Sequence, residues 1–489
     1  MIGGLARNSA LNSMLLYGIA LLCLRGASLI TLPVMTYYLS VEQVGRLELI
    51  SVTQIFFALF VSLAMHENLY RFVAVIDQKH QQKKTTSQLY CSSITLSALI
   101  VSLLGAGYLL ISHLNTGTFA FVAFNFITPI QMVLMASVLV IQGGLEISLA
   151  WLRLQNNALA FFKISVFCSV VQVGLILAIV QLYPTVTAVL SVGVFSAFLQ
   201  LTILHVYNRF ELSLLSIEQL KQYLKYCLPI MWSALIAFGL NGGERWLLVK
   251  ASNVELLAQY AIALKFALAV GILLQPFHMW WMPKRFEYWQ NQGAQSATNF
   301  TQIGLVYACL VTVVIAWLGK LFIATFLPAD YQLATQLISL AVLAMLFKEL
   351  TELLNIGLLK AKQTQTLLKI NLAVTSFALI LIGMLVWKLP HHTVWVVSFG
   401  IVLAQFLRTC VVFICSQRAN TLPYHMLGLC LFVALTTLFA ITPWLTDHIG
   451  FGAATLCLEL LLLLAFAHHY KLVNVPTQKL RNAITRLYI

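Results

Sequence analysis

LNSMLLYGIALLCLRGASLITLPVMTYYL, residues 11–39, is apolar for longer than a bilayer is thick and carries a single charge, Arg25. A helix crosses the roughly 30 Å hydrocarbon core in about 20 residues, so this segment is long enough to span. It exceeds a signal-peptide core and has no clear cleavage site, and is therefore expected to stay as the first helix. Comparable runs recur along the chain, at about 47–70, 89–112, 119–142, 158–181, 186–207, 226–249, 258–283, 300–326, 332–359, 367–387, 392–416, 424–445 and 449–470. The whole sequence is 61% hydrophobic and only 9% charged, with a mean hydropathy of +0.90. Soluble domains carry about 25% charged residues. Period-2 alternation is absent, and backbone groups in lipid must be paired within their own segment. The expected fold is an all-α polytopic membrane protein of about 14 helices, arranged as two six-helix bundles plus two C-terminal helices.

The net charge of +14 resides mostly in short gaps between the apolar runs, which speaks for membrane topology and against nucleic acid as a partner. One alternate set of gaps holds Arg7, then Arg71, Lys79, Lys83 and Lys84, then Arg153, Arg209, Lys221, Lys225, Lys284, Arg285, Lys360, Lys362, Arg418, Lys471, Lys479, Arg481 and Arg486. The opposite set holds Arg46, Lys250, Lys320 and Lys388. Positively charged short loops are retained in the cytoplasm, so both termini are expected there and the helix count is even. The domain organisation read from this pattern is 1–208 as the N-terminal bundle, 209–225 as an amphipathic linker, 226–418 as the C-terminal bundle, 419–470 as two extra helices and 471–489 as a cytoplasmic amphipathic tail. The linker reads as an interfacial helix, with Leu214, Leu215, Ile217 and Leu220 among polar residues and Ser216 with Gln219 placed as a capping box. Two bundles that both start in the cytoplasm are related by an axis along the membrane normal. The segment Ser40–Gly45 is loosely matched by Asn253–Ala258, as such a repeat would give.

Ionisable residues inside the spans are costly, at about 2.5 kcal/mol or more each, and therefore carry the functional information. They are Arg25 in the first span, His66 and Glu67 toward the inner end of the second with Arg71 beyond them, Glu244 and Arg245 in the seventh, Lys265 in the eighth, and Lys348, Glu349 and Glu352 in the tenth. One reading is a cationic cavity between the halves, in which Arg25, Arg71, Arg245, Lys265 and Lys348 hold a phosphate-like anion. Arginine suits this because its rigid fork of donors matches phosphate oxygens. In that reading His66, Glu67, Glu244, Glu349 and Glu352 serve ion coupling. The other reading is mutual neutralisation, with Lys348 and Glu352 at ion-pair spacing, Glu244 facing Lys265, Arg71 a topological anchor and His66 a packing residue. Trp280, Trp281 and Trp289 read as an interfacial belt, and Pro33 and Pro229 as kinks. The nine cysteines lie in apolar runs without CxxC or histidine partners, so neither a metal nor a cofactor is expected.

No Walker loop, HExxH or GxSxG occurs, which argues against an enzyme. The run Arg25-Gly26 to Leu32-Pro33, with Tyr38-Leu39-Ser40, Gln43-Val44-Gly45 and Leu69-Tyr70-Arg71-Phe72, resembles the opening of polysaccharide flippases. Tyr226-Cys227-Leu228-Pro229, Glu244-Arg245, Tyr260-Ala261 and Trp281-Met282-Pro283 are similar to the seventh and eighth helices of the same group, the polysaccharide transporter branch of the multidrug/oligosaccharidyl-lipid/polysaccharide (MOP) superfamily. Glu244 stands where that family more often has Asp, and Ala258-Gln259 where a Gly commonly precedes the tyrosine. The resemblance implies a gradient-driven flippase in the bacterial inner membrane that moves undecaprenyl-diphosphate-linked oligosaccharide, of O-antigen or capsule type, by alternating access. It further implies a polysaccharide polymerase and chain-length proteins as candidate partners. Two alternatives stay open at this level: a cation-coupled multidrug exporter of the same superfamily, and a membrane-embedded polymerase or glycosyltransferase. The buried positive charges, counted as at least as numerous as the negative ones, favour an anionic substrate.

Overall fold

The computed structural model describes Gly18 and residues 26–113, 126–446 and 452–473. Among these residues there is no strand, and the chain is a succession of helices. They are α1 (26–38), α2 (Val41–Ser62), α3 (Lys79–His113), α4 (Pro129–Leu154), α5 (Ala158–Leu182), α6 (Val186–Asn208), α7 (Ile217–Ala251), α8 (254–292), α9 (294–326), α10 (Gln332–Leu354), α11 (Thr364–Lys388), α12 (Thr393–Ala419), α13 (Met426–Leu445) and α14 (Gly452–His469). Twelve of them, all but α1 and α10, are long and apolar enough to cross a membrane among the described residues. Helix α10 has span length but carries Lys348, Glu349 and Glu352 in its last two turns. The protein is an all-α, multi-pass membrane protein. Arg25 and the tail from residue 474 lie outside the described residues.

Large apolar side chains stand outward along the helices: Leu103, Leu109, Val206, Ile380 and Leu461 are each more than 60% exposed. In water such a surface would aggregate, whereas lipid solvates it. Helix ends run past the apolar stretches that announce them. Helix α3 begins at Lys79, well before the predicted 89, because its polar first turns continue the helix beyond the apolar run. Chain entry is fixed locally. Ser40 accepts from Gln43 N at 3.2 Å while Gln43 Oε1 accepts from Ser40 N at 3.0 Å, a reciprocal cap that satisfies two donors at the start of α2.

The chain forms two compact units, residues 1–261 with 379–397, and residues 262–378 with 398–489. In the first, α4 is the central element, packing on α2, α3, α5 and α6. Ile141, Leu145 and Leu152 meet Phe161, Ile164 and Leu204 on one of its faces. Ile147, Ala150 and Trp151 meet Leu69, Tyr90 and Tyr223 on another. The amphipathic segment after α6 is not a separate helix. Residues 210–216 are irregular, and Ser216 starts α7 by accepting from Gln219 N at 3.3 Å. The irregular stretch is tied to α3 instead, where Glu211 N donates to Ser87 Oγ and Leu215 N to Ser92 Oγ, with Phe210 and Leu215 buried. Those side-chain acceptors replace the helical bonds that the predicted interfacial helix would have made.

In the second unit α8 and α9 are two arms of one helical run that reverses at Gly293 (φ 82°, ψ 170°). The arms run antiparallel: Tyr307 donates to Leu273 O, Phe277 lies against Gly304, and Trp280 and Trp281 meet Phe300. Trp281 is 1% exposed and stacks edge-on with Tyr288, so it knits the hairpin together and is not part of an interfacial belt. Helix α10 packs on α13, and α13 on α14.

Two glycines are required by geometry. Only glycine adopts the backbone of residue 293 without strain of about 1–3 kcal/mol. A side chain at Gly45 would stand 1.8 Å from the Val254 carbonyl oxygen, so the starts of α2 and α8 touch backbone to backbone. Gly45→Ala is expected to lower stability by about 1–3 kcal/mol through overpacking, read as a depressed melting temperature of the purified protein. An unchanged melting temperature would show that the two helix starts separate at no cost.

Candidate functional site

The membrane interior gives charged side chains no solvent, so each one must find a partner, and three clusters result. The first is built on α2 and α7. Helix α7 contains a π-helical stretch, Gly239–Gly243, which adds a residue to one turn and re-aims the side chains beyond it. The next two residues are Glu244 and Arg245. Arg245 is nearly buried and lies 3.7 Å from Glu48 and 3.8 Å from Glu244, while the Glu48 and Glu244 residues are 8% and 2% exposed. Trp246 Nε1 donates to Thr53 Oγ1 at 3.2 Å and closes the same α2–α7 contact. The sequence reading paired Glu244 with Lys265. In the structure Arg245, its chain neighbour, is a partner of Glu244, and the same Arg245 also pairs with Glu48, which that reading missed although it stands alone between Leu47 and Leu49.

The second cluster lies where α2 stops. Leu63 and Ala64 are both left-handed (φ 51° each), residues 63–66 form a non-helical turn, and a π-helical stretch, Leu69–Val73, resumes the path. Such a break in lipid exposes backbone groups that must be satisfied. Cys227 Sγ of α7 donates to Ala64 O at 3.3 Å, Asn68 Nδ2 donates to Met65 O at 3.2 Å, and Asn68 is fully buried. The same Nδ2 lies 3.0 Å from Cys227 Sγ. The predicted span 47–70 is therefore one helix with a broken end. On the turn, His66 bridges two carboxylates, with Nδ1 3.0 Å from Glu146 Oε2 of α4 and Nε2 3.4 Å from Glu67 Oε1. Gln142, one turn earlier on α4, donates to Glu146 Oε1 at 3.0 Å. The His66 and Glu146 side chains are each 27% exposed and that of Glu67 is 36% exposed. Arg71 is exposed and has no carboxylate partner among the described residues. Glu146 was missed from sequence; its signal is an acid in the otherwise apolar run Leu145–Trp151.

The third set belongs to the second unit. His278 Nε2 of α8 is 3.6 Å from Glu349 Oε2 of α10, both side chains being largely buried. Glu352 is 3.9 Å from Arg408 of α12 and accepts from Asn355 at 3.3 Å, and Arg408 Nε donates to Asn371 at 2.8 Å. Arg285 Nη1 donates to Asn355 Oδ1 at 3.2 Å. Deeper, Glu459 of α14 accepts from Trp317 Nε1 at 2.7 Å and from Thr442 Oγ1 at 2.6 Å. Lys265 and Lys348 are half-buried and engaged. Arg408 and Glu459 were also missed by the sequence reading. With Glu48, Glu146 and Glu459 included, the intramembrane carboxylates are more numerous than the charge balance drawn from sequence allowed.

The fold and these buried charges define a polytopic membrane protein with ionisable side chains paired between its helices. The sequence over residues 34–278 matches the family described as polysaccharide biosynthesis protein, and the chain belongs to that family. The sequence resemblance to the polysaccharide transporter branch of the MOP superfamily thus holds. In sequence, no curated protein matches. Among solved structures, the chain is similar to the lipid II flippase MurJ in an inward closed conformation (TM-score 0.66, 15% identity, 94% of this chain and 99% of that one). It is also similar to the Vibrio cholerae MATE transporter VcmN (TM-score 0.55, 11% identity, 84% and 96%). A MOP superfamily transporter from Pyrococcus furiosus is a third (TM-score 0.52, 14% identity, 85% and 97%).

Arg245→Ala removes the cation from beside the buried Glu48 and Glu244 and is expected to cost about 3–5 kcal/mol. Adding Glu48→Gln to Arg245→Ala should restore part of that loss, measured as melting temperature in detergent. If Arg245→Ala alone leaves stability intact, the arginine does not hold the α2–α7 contact and is available for ligand.

Proposed function

We propose that this protein translocates a lipid-linked oligosaccharide across the bacterial inner membrane, an undecaprenyl-diphosphate-linked repeat unit of O-antigen or capsule type, by gradient-driven alternating access. The observation that carries this reading is family: a chain of the polysaccharide biosynthesis family has the fold of MOP transporters over nearly its whole length. The physical task fits such a chain. A flippase must shelter a diphosphate and sugars from hydrocarbon while the polyprenyl tail stays in lipid, which calls for cationic donors on membrane helices and lipid-facing apolar flanks. Arg25 and Arg71 are the headgroup ligands of this proposal, joined by Arg245, Lys265 and Lys348 where these are released from their resting partners. Both termini lie on the cytoplasmic side in the proposed topology, following the alternation of Lys and Arg. The polysaccharide polymerase and chain-length proteins are the proposed partners.

A second reading, the cation-coupled drug exporter, draws support from one observation: the added carboxylates Glu48, Glu146 and Glu459, since a site for cationic drugs would be lined by acids.

One experiment separates the two. Deleting the gene is expected to abolish surface polysaccharide and leave drug susceptibility unchanged. Complementation with Arg25→Ala or Arg71→Ala, at matched protein level, should lose tenfold or more of the polymer, because a charge-assisted hydrogen bond is worth about 1.5–3 kcal/mol and about 1.4 kcal/mol is tenfold. Unchanged polysaccharide with increased drug sensitivity in the deletion strain would overturn the flippase reading in favour of the exporter.

A further inference from the structure

Two histidine–carboxylate pairs stand at equivalent places in the chain, one in each compact unit. In the first, His66 at the end of α2 meets Glu146 of α4 at 3.0 Å. In the second, His278 of α8 meets Glu349 of α10 at 3.6 Å. The helices correspond with a step of six, α2 to α8 and α4 to α10. The registers correspond as well. Glu146 and Glu349 each stand 17 positions after the first residue of their helix, Pro129 and Gln332. Helices α2 and α8 start with the same cap, in which Ser40 accepts from Gln43 N and Asn253 accepts from Leu256 N. Counted from those caps, the histidines fall within one position of each other, and that one position lies on the side that contains the non-helical turn at residues 63–66. Chance could place one histidine near one acid. It does not readily place the same pair on corresponding helices at closely matching register twice.

The chemistry of the pair is that of a proton site. Imidazole is the side chain whose ordinary pKa lies near neutrality, and a carboxylate in reach stabilises its protonated form. In the first unit the site is made, with Glu67 as a second carboxylate on Nε2 and Gln142 holding Glu146, while Tyr70, farther along the chain, has Arg153 and Glu67 as its charged neighbours. In the second the ring nitrogen is buried, makes no hydrogen bond and stops short of Glu349, with Arg285 as the cation that faces it from farther along the run. A buried polar nitrogen without a partner is rare and calls for an explanation. A proton placed between His278 Nε2 and Glu349 Oε2 would supply the missing bond by drawing the two groups to hydrogen-bond distance.

We propose that His66–Glu146 and His278–Glu349 are two copies of one proton-binding site, inherited with the six-helix repeat, through which the transporter is coupled to a proton gradient. The uptake step adds one aqueous proton to the pair and breaks no covalent bond. The coupling role rests on the transport reading above, whereas proton binding itself can be measured without any substrate.

The test is pH-difference infrared spectroscopy of the purified full-length protein in lipid bilayers. Comparison of wild type with Glu146→Gln and with Glu349→Gln is expected to show that each variant loses a carboxyl-group band from the acid-minus-neutral difference spectrum, and that the double variant loses both. Glu146→Asp and Glu349→Asp keep a carboxyl and should keep a band, which separates loss of the group from loss of fold. His66→Asn and His278→Asn should move the band of the partner carboxyl to higher pH, since a cationic or donating neighbour has been removed. Gln variants that lose no carboxyl band, or histidine variants that leave the bands unmoved, would overturn the proposal. A band lost from only one of the two sites would overturn the duplication. None of these outcomes depends on which molecule is carried, so the proton site can fail while the flippase reading stands, and the reverse.

Discussion

Hydrocarbon neither accepts a hydrogen bond nor solvates a charge, and the main features of this chain are consequences of that constraint. It forces the backbone into helices, because only there are its polar groups paired within the segment. It explains why α2 ends against Cys227 and Asn68, whose side chains meet the backbone around Ala64 and Met65. The same constraint sets the partners of the charged groups. Arg245 lies beside two acids, and Glu459 receives the indole of Trp317 and the hydroxyl of Thr442, so neither is left to lipid.

The departures from regular helix are concentrated on two elements of the first unit. Helix α2 breaks at Leu63 and Ala64, and α7 carries a π-helical stretch and Pro229. Two consecutive left-handed non-glycine residues cost free energy, of order 1–3 kcal/mol each, and persist only where the surroundings hold them. Broken membrane helices are where transporters gather polar groups, because freed backbone and inward side chains can share a cavity. Here the break delivers His66 to Glu146, and the π-helical stretch delivers Arg245 to Glu48. The link from sequence to function thus runs through local irregularity: an unusual backbone turn places an unusual side chain.

Much of the fold was legible in the apolar runs, since a stretch such as residues 158–181 has one solution in lipid and the structure gives Ala158–Leu182. Helix ends were less so, because apolarity reports where lipid lies and not where hydrogen bonding ceases; α3 and the α8–α9 hairpin continue well beyond it. The segment 209–225 misled because its leucines have helical spacing, but residues 210–216 are irregular and Phe210 and Leu215 turn inward against α3, while Leu212, Leu214 and Ile217 stay exposed. In the site, the residues flagged by charge are there, yet their partners were only partly visible. Glu48, Glu146 and Arg408 lie on helices distant in sequence from those they meet, and pairing across helices is a property of the fold. His66 and Glu67 were noticed as neighbours, while the closer contact of His66 is with Glu146, eighty residues away.

The central claim is that the protein moves a diphosphate-bearing polyprenyl lipid from one leaflet to the other. The most direct measurement uses vesicles reconstituted with the purified full-length protein and undecaprenyl diphosphate carrying a fluorescent sugar, with a membrane-impermeant quencher added outside. The account predicts that quenching proceeds past the outer-leaflet share, roughly half, toward all of the probe, and that protein-free vesicles stop at that share. Quenching that stops at the same level with and without protein would contradict it.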